Sequence, residues 1–161
     1  MRTLILGIGN LLLGDEGVGC RCVAALESRY SLPPEVVCED GGTSGFELLP
    51  LIEDADTLIV IDAVADGRTP GTVILAEDDA VPRTMQQHVS LHQTGFCEVL
   101  AAAAVRDRRP GRLLLFGVEP KSLELGMELS PEAAQGMEKA LEAVVKSLRD
   151  MGHQVQPKQA A

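Results

Sequence analysis

LILGIGNLLLGDEGVG, residues 4–19, is the stretch on which the reading of this chain turns. A short apolar run enters Gly7, Gly9 and Asn10, then reaches an acidic pair, Asp15–Glu16, held between Gly14 and Gly17. The apolar residues read as a buried strand, and the glycines as a loop where backbone passes close to another group. Gly7-Ile8-Gly9 begins like a dinucleotide-binding loop. Leu12 stands where the third glycine belongs, however, and the acidic pair places negative charge where a pyrophosphate would sit. The loop is therefore the electrostatic opposite of a phosphate cradle, and the species it awaits is positive.

Working outward, Gly17–Tyr30 has the apolar spacing of a helix, and Glu35–Glu39 is a valine-rich strand that runs into Asp40–Gly41–Gly42–Thr43–Ser44–Gly45. Phe46–Glu53 reads as a short amphipathic helix with Phe46, Leu49 and Ile52 on one side. Asp56–Asp62 contains DTLIVID, a continuous apolar run of the kind found in strands covered on both faces. Thr72–Ala76 is a short edge or irregular strand, Glu77–Gln87 an exposed connection, and Phe96–Arg106 an alanine-rich helix. Arg112–Val118 supplies a further strand. Ser130-Pro131 caps and starts a last helix that runs to about Met151. Strands alternating with helices in this way predict a three-layer α/β/α sandwich around a twisted, mainly parallel sheet.

Composition bounds the function. The 161 residues make one domain, residues 1–151, and residues 152–161 are expected to form a flexible tail with His153 in solvent. A formal charge of −10 argues against binding nucleic acid, whose phosphates need a positive surface. No segment approaches the 18 uninterrupted apolar residues of a membrane span, so no membrane insertion is expected, and a cytoplasmic location follows. Cys20, Cys22, Cys38 and Cys97 have neither the number nor the spacing of a disulfide framework and read as buried thiols. No G-x-S-x-G, H-E-x-x-H or phosphate-loop motif is present.

Chemistry is concentrated where open parallel sheets place it, beyond the carboxyl ends of the strands. Glu16 follows the first strand, Asp40 the second, Asp62 ends the third and Glu119 follows a later one. Of the three histidines, His92 stands before a glycine at a helix start, whereas His88 occupies the preceding loop. Two carboxylates and one imidazole would form an open oxygen–nitrogen site, for which zinc, nickel, iron and manganese all qualify.

With these motifs in order, GIGNLLLGDEGVG at 7–19, DGGTSGFELL at 40–49, IVIDA at 59–63, SLHQTGF at 90–96, FGVEP at 116–120 and LSPE at 129–132, the chain resembles the nickel–iron hydrogenase maturation proteases. The resemblance implies an aspartyl-type endopeptidase that recognises a nickel-loaded hydrogenase large-subunit precursor and removes its C-terminal extension. Glu16, Asp62 and His92 are implied as catalytic and metal-binding residues, and Asp40, Gly41 and Gly42 as substrate-positioning elements. The nickel is expected to arrive in the substrate rather than reside in the protein. An antiparallel setting of the Thr72–Ala76 strand at a sheet edge and a monomeric state are also implied. The alternative is a noncatalytic metal-sensing assembly factor that binds the same precursor without cutting it.

Overall fold

The computed structural model describes residues 1–86 and 91–160, with residues 91–94 described by their backbone alone. His88 lies outside the described residues, as does the side chain of His92.

Five strands form the main sheet: β1 (Thr3–Ile8), β3 (Val36–Gly42), β4 (Thr57–Ala63), β5 (Val73–Glu77) and β6 (Arg112–Val118), in the order β3-β1-β4-β6-β5. Four are parallel, and β5 runs antiparallel along β6 at the edge. The helices are α1 (Val18–Arg29), α2 (Leu49–Glu53), α3 (Ala80–Gln86), α4 (Leu91–Val105) and α5 (Pro131–Asp150), with 3-10 turns at Gly14–Gly17 and Phe46–Leu48. A separate antiparallel ribbon pairs β2 (Tyr30–Ser31) with β7 (Gln156–Pro157).

Strand alternation divides the core into two layers. Leu4, Leu6, Leu58, Val60, Leu113 and Leu115 point to the side closed by α2, α3 and α4, where Ile52, Met85 and Phe96 meet them. Ile5, Ile59, Ile61, Leu114 and Phe116 point to the other side, against Leu26 of α1 and Leu141, Val144 and Leu148 of α5. Both faces are covered, and that is why the central strands are apolar at consecutive positions rather than alternate ones. The α/β/α sandwich expected from the sequence is the fold observed, including its antiparallel edge strand.

Several local expectations are corrected. Residues 80–86, within the segment read as an exposed connection, form α3 and bury Val81 and Met85, although Asp78 and Asp79 do mark the turn before it. Phe46 is not on the buried side of its helix: it is 56% exposed, while Leu48 and Ile52 turn inward, because the first turn is 3-10 and shifts the inward face. His153 is buried rather than solvated. Its Nε2 lies 3.0 Å from the Thr3 hydroxyl and its Nδ1 is 3.5 Å from the Glu35 carboxylate. Val155 is buried beside it.

Candidate active site

The strand order places β1 between β3 and β4, and the chain leaves β1 toward β3 before returning to β4. Crossovers on opposite faces open a crevice at the carboxyl ends of β1 and β4, the position where doubly wound sheets hold ligands. Glu16 comes from the 3-10 turn after β1, and Asp62 is the penultimate residue of β4.

Backbone closeness brings the two together. Gly9 ends the first strand region with φ +134°, and a Cβ there would lie 1.9 Å from the Glu16 carbonyl oxygen and 3.7 Å from Asp62 Oδ1. Only glycine satisfies both the dihedral and the contact. At Gly19, the second residue of α1, the contact alone demands glycine, since a Cβ would meet the carbonyls of Ile61 and Ile8 at 2.1 and 2.6 Å. The amino end of α1 thus sits directly on the carboxyl ends of β1 and β4. Glu16 is 8% exposed and Asp62 fully buried, and Asp62 Oδ1 accepts the Ala63 amide at 2.8 Å. Alternation puts Asp62 on the same sheet face as Leu58 and Val60, the face covered by α4, whose first turn carries His92.

Asp15, adjacent to Glu16, has a different task. Its Oδ1 accepts the Ser130 amide at 2.7 Å. Its Oδ2 accepts the Lys121 and Ser122 amides at 2.8 and 3.1 Å and the Ser130 hydroxyl at 2.8 Å. Burial opposes its ionisation, but the donors from Ser130, Lys121 and Ser122 outweigh that cost and hold its carboxyl below the usual range. Asp15 is a knot tying the β6–α5 loop to the β1–α1 loop, not a ligand in waiting. Glu119 plays a similar part, accepting the Asp66 amide at 2.8 Å and so linking the loop after β4 to the end of β6.

The Asp40–Gly41–Gly42 stretch is the end of β3 rather than a free loop. Gly7 pairs with Asp40 and Ile8 with Gly42, which leaves Gly41 as the extra residue of a bulge. Asp40 accepts the Gly42 amide at 3.0 Å, and the Gly42 carbonyl accepts the Gly9 amide at 2.9 Å. The carboxylate of Asp40 is exposed and lines a cavity of about 250 Å³ with Gly9, Asn10, Leu11, Cys20, Gly42 and Thr43. Cys20, at its floor, approaches the carbonyls of Gly7 and Gly9 at 3.6 Å. Burial first, then its bond to Asp40 and the charges of Asp40 and Asp62, push this thiol up to about 12. Gly9 lines this cavity and lies beside Asp62 Oδ1, which sets the Asp40 cavity next to Asp62.

Among the described residues, no three His, Cys, Asp or Glu side chains are grouped to hold a metal. The structure brings Glu16 and Asp62 to one crevice, with Asp40 beside it. It carries the backbone of His92 on the adjoining helix. The roles of Asp15 and Glu119 as loop clamps escaped the sequence, where the only signal was an acidic residue next to each strand end.

The sequence model of the hydrogenase maturation proteases matches residues 20–147. This chain belongs to that family. It is 43% identical over 161 residues to the hydrogenase 2 maturation protease of Escherichia coli K12, covering 99% of this chain and 98% of the relative. It is 46% identical over 156 residues to the hydrogenase expression/formation protein HupD of Rhodobacter capsulatus, covering 96% and 74%. In structure it superposes on the hydrogenase maturating endopeptidase HybD from E. coli with a TM-score of 0.95 at 43% identity, each chain covered to 98%. The HybD protease of Thermococcus kodakarensis superposes with a TM-score of 0.77 at 29% identity, covering 91% and 99%. The family match contains Asp40, Asp62 and His92; Glu16 precedes it and falls within the span shared with the full-length relatives. As a member of the family, the chain is a protease, and the noncatalytic alternative loses its ground.

Proposed function

We propose that this protease acts on a hydrogenase large-subunit precursor already carrying nickel and hydrolyses one peptide bond to release its C-terminal extension. The observation that supports the reading is the crevice between β1 and β4, where Gly9 packs against the Glu16 backbone carbonyl and the Asp62 carboxylate and both acidic residues are buried. Carboxylate oxygens suit a divalent cation presented by a partner, and the first turn of α4 sets His92 on the same side as Asp62. The nickel belongs to the substrate in this reading and acts as its mark of completion. Asp62 and Glu16 orient it, a carboxylate of the pair takes a proton from the attacking water in the manner of aspartyl-type peptidases, and the amide nitrogen leaves protonated. Asp40, on the bulge formed with Gly41 and Gly42, holds the peptide chain approaching the crevice.

Cytoplasmic action as a monomer completes the proposal. All four cysteines are free, as in a reducing compartment, and no helix among the described residues is long and apolar enough to cross a membrane. The test is to incubate the purified protein with nickel-loaded and nickel-free precursor and follow intact masses. Only the loaded precursor should shorten. Glu16→Gln, Asp62→Asn and His92→Ala should each slow shortening by about 10²-fold or more while the fold is retained. Equal processing by all three variants would overturn the site, and a loaded precursor that is bound but never shortened would overturn the activity.

A further inference from the structure

Five apolar side chains stand in solvent at the carboxyl edge of the sheet: Leu11 and Leu12 in the β1–α1 loop, 38% and 55% exposed, and Leu123, Leu125 and Met127 in the β6–α5 loop, 46%, 85% and 64% exposed. The two loops run side by side. Leu13 bridges to Gly126, the Gly126 amide donates to the Leu12 carbonyl at 2.9 Å, and the Gly14 amide donates to the Gly126 carbonyl at 2.8 Å. Asp15 pins the same loops from beneath, and the Arg21 guanidinium holds the Met127 carbonyl. Fixed backbone with leucine and methionine turned outward lowers the ordering cost of binding, and an exposed apolar patch of this kind marks an interaction surface.

Resting on the function proposed above, we propose that this rim is where the folded body of the precursor docks while its C-terminal segment enters the crevice. Leu11 lines the Asp40 cavity, so the rim is continuous with the place where the peptide would be held. Acidic residues alternate with the apolar ones, in the order Leu123, Glu124, Leu125, Gly126, Met127, Glu128. A second copy of this chain, also at −10, would set Glu124 and Glu128 against their equivalents. Five partly exposed side chains also fall short of the about 800 Å² per partner that a stable complex buries. The occupant that fits is a transient partner with an apolar patch bordered by lysine or arginine.

The dissociation constant for the nickel-loaded precursor is measured independently of cleavage, alongside processing followed by mass. Leu125→Glu with Met127→Glu should weaken binding about tenfold or more and raise KM with little change in kcat. Glu124→Lys with Glu128→Lys should weaken it too, through association rate, without altering the apolar surface. Val105→Glu, 86% exposed where α4 leaves toward the start of β6, should bind and process as the wild type does. Unchanged binding in both rim variants would sink the docking surface while leaving the protease reading intact. Binding that depends on the rim without any shortening of the precursor would do the reverse. A concentration-dependent dimer dispersed by Leu125→Glu/Met127→Glu would assign the rim to a second copy and overturn the proposal.

Discussion

The two ends of the parallel sheet are built from similar materials and put them to different use. At the amino end, polar groups are paired with one another: buried Thr3 meets His153, and on the surface the Arg2 amide reaches Asp56 at 2.6 Å and ion pairs join Arg2 with Asp54 and Arg106 with Glu53. At the carboxyl end four acidic residues are buried, and two of them, Asp15 and Glu119, hold loops through backbone donors. Glu16 and Asp62 line the crevice between, and an apolar rim stands beside it. The amino end is thus built for stability. The carboxyl end sets buried acidic residues beside exposed apolar surface, a combination that suits the docking partner proposed above.

Substituting Asp15 tests whether the working end depends on its own scaffold. Asp15→Asn would turn an NH2 group toward backbone and hydroxyl donors and is expected to cost about 2–4 kcal/mol in urea denaturation. Its pH dependence sharpens the point. Because the folded pKa of Asp15 is depressed, its contribution is present above the unfolded value of 3.8 and lost as pH falls through the folded one. The wild type should therefore lose stability on acidification more steeply than Asp15→Asn, and parallel curves would remove Asp15 from this role.

His153→Ala is the corresponding change at the amino end. It leaves the Thr3 hydroxyl buried without its partner and should cost about 1–3 kcal/mol. Processing at temperatures where the variant is folded should not change; a lower kcat would show that the two ends communicate.

The smallest effect at neutral pH concerns the thiols. Burial raises Cys20, Cys22 and Cys38 each to about 12 from 9.0, so the folded state favours the neutral thiols. Their contribution is complete below the unfolded value and is lost as pH rises between these limits. Alkylation at pH 8 should be slow in the folded protein and fast in urea, and rapid labelling of Cys20 in the folded state would contradict the closed floor under Asp40.

Much of the fold was legible because it follows from local periodicity. The bounds of β1 and β6 match the apolar runs residue for residue, and Ser130 caps α5 as its position before Pro131 suggests. The segment 80–86 was harder, since Val81 and Met85 are only two apolar residues among polar ones and their burial depends on α4 and β5. His153 failed for a related reason: nothing near it in sequence announces a partner at Thr3, 150 residues away. Asp62 stood out because it closes an apolar strand, and Glu16 because it follows one in a glycine-flanked loop. Asp15, with the same neighbours, was separated from Glu16 by the family resemblance alone.

Sequence alone determined the layered fold of this protein, the edge of the sheet on which its candidate site lies and its family, because strand and helix periods and short glycine-spaced motifs are properties of neighbouring residues. Tertiary structure decided where each acid sits. Asp15 and Glu16 differ by one position, yet Asp15 accepts from donors of the loop 106–115 residues further on, while Glu16 sets its backbone carbonyl against Gly9, beside Asp62. A carboxylate becomes a clamp through the donors that reach it, and for Asp15 long-range packing delivers those donors.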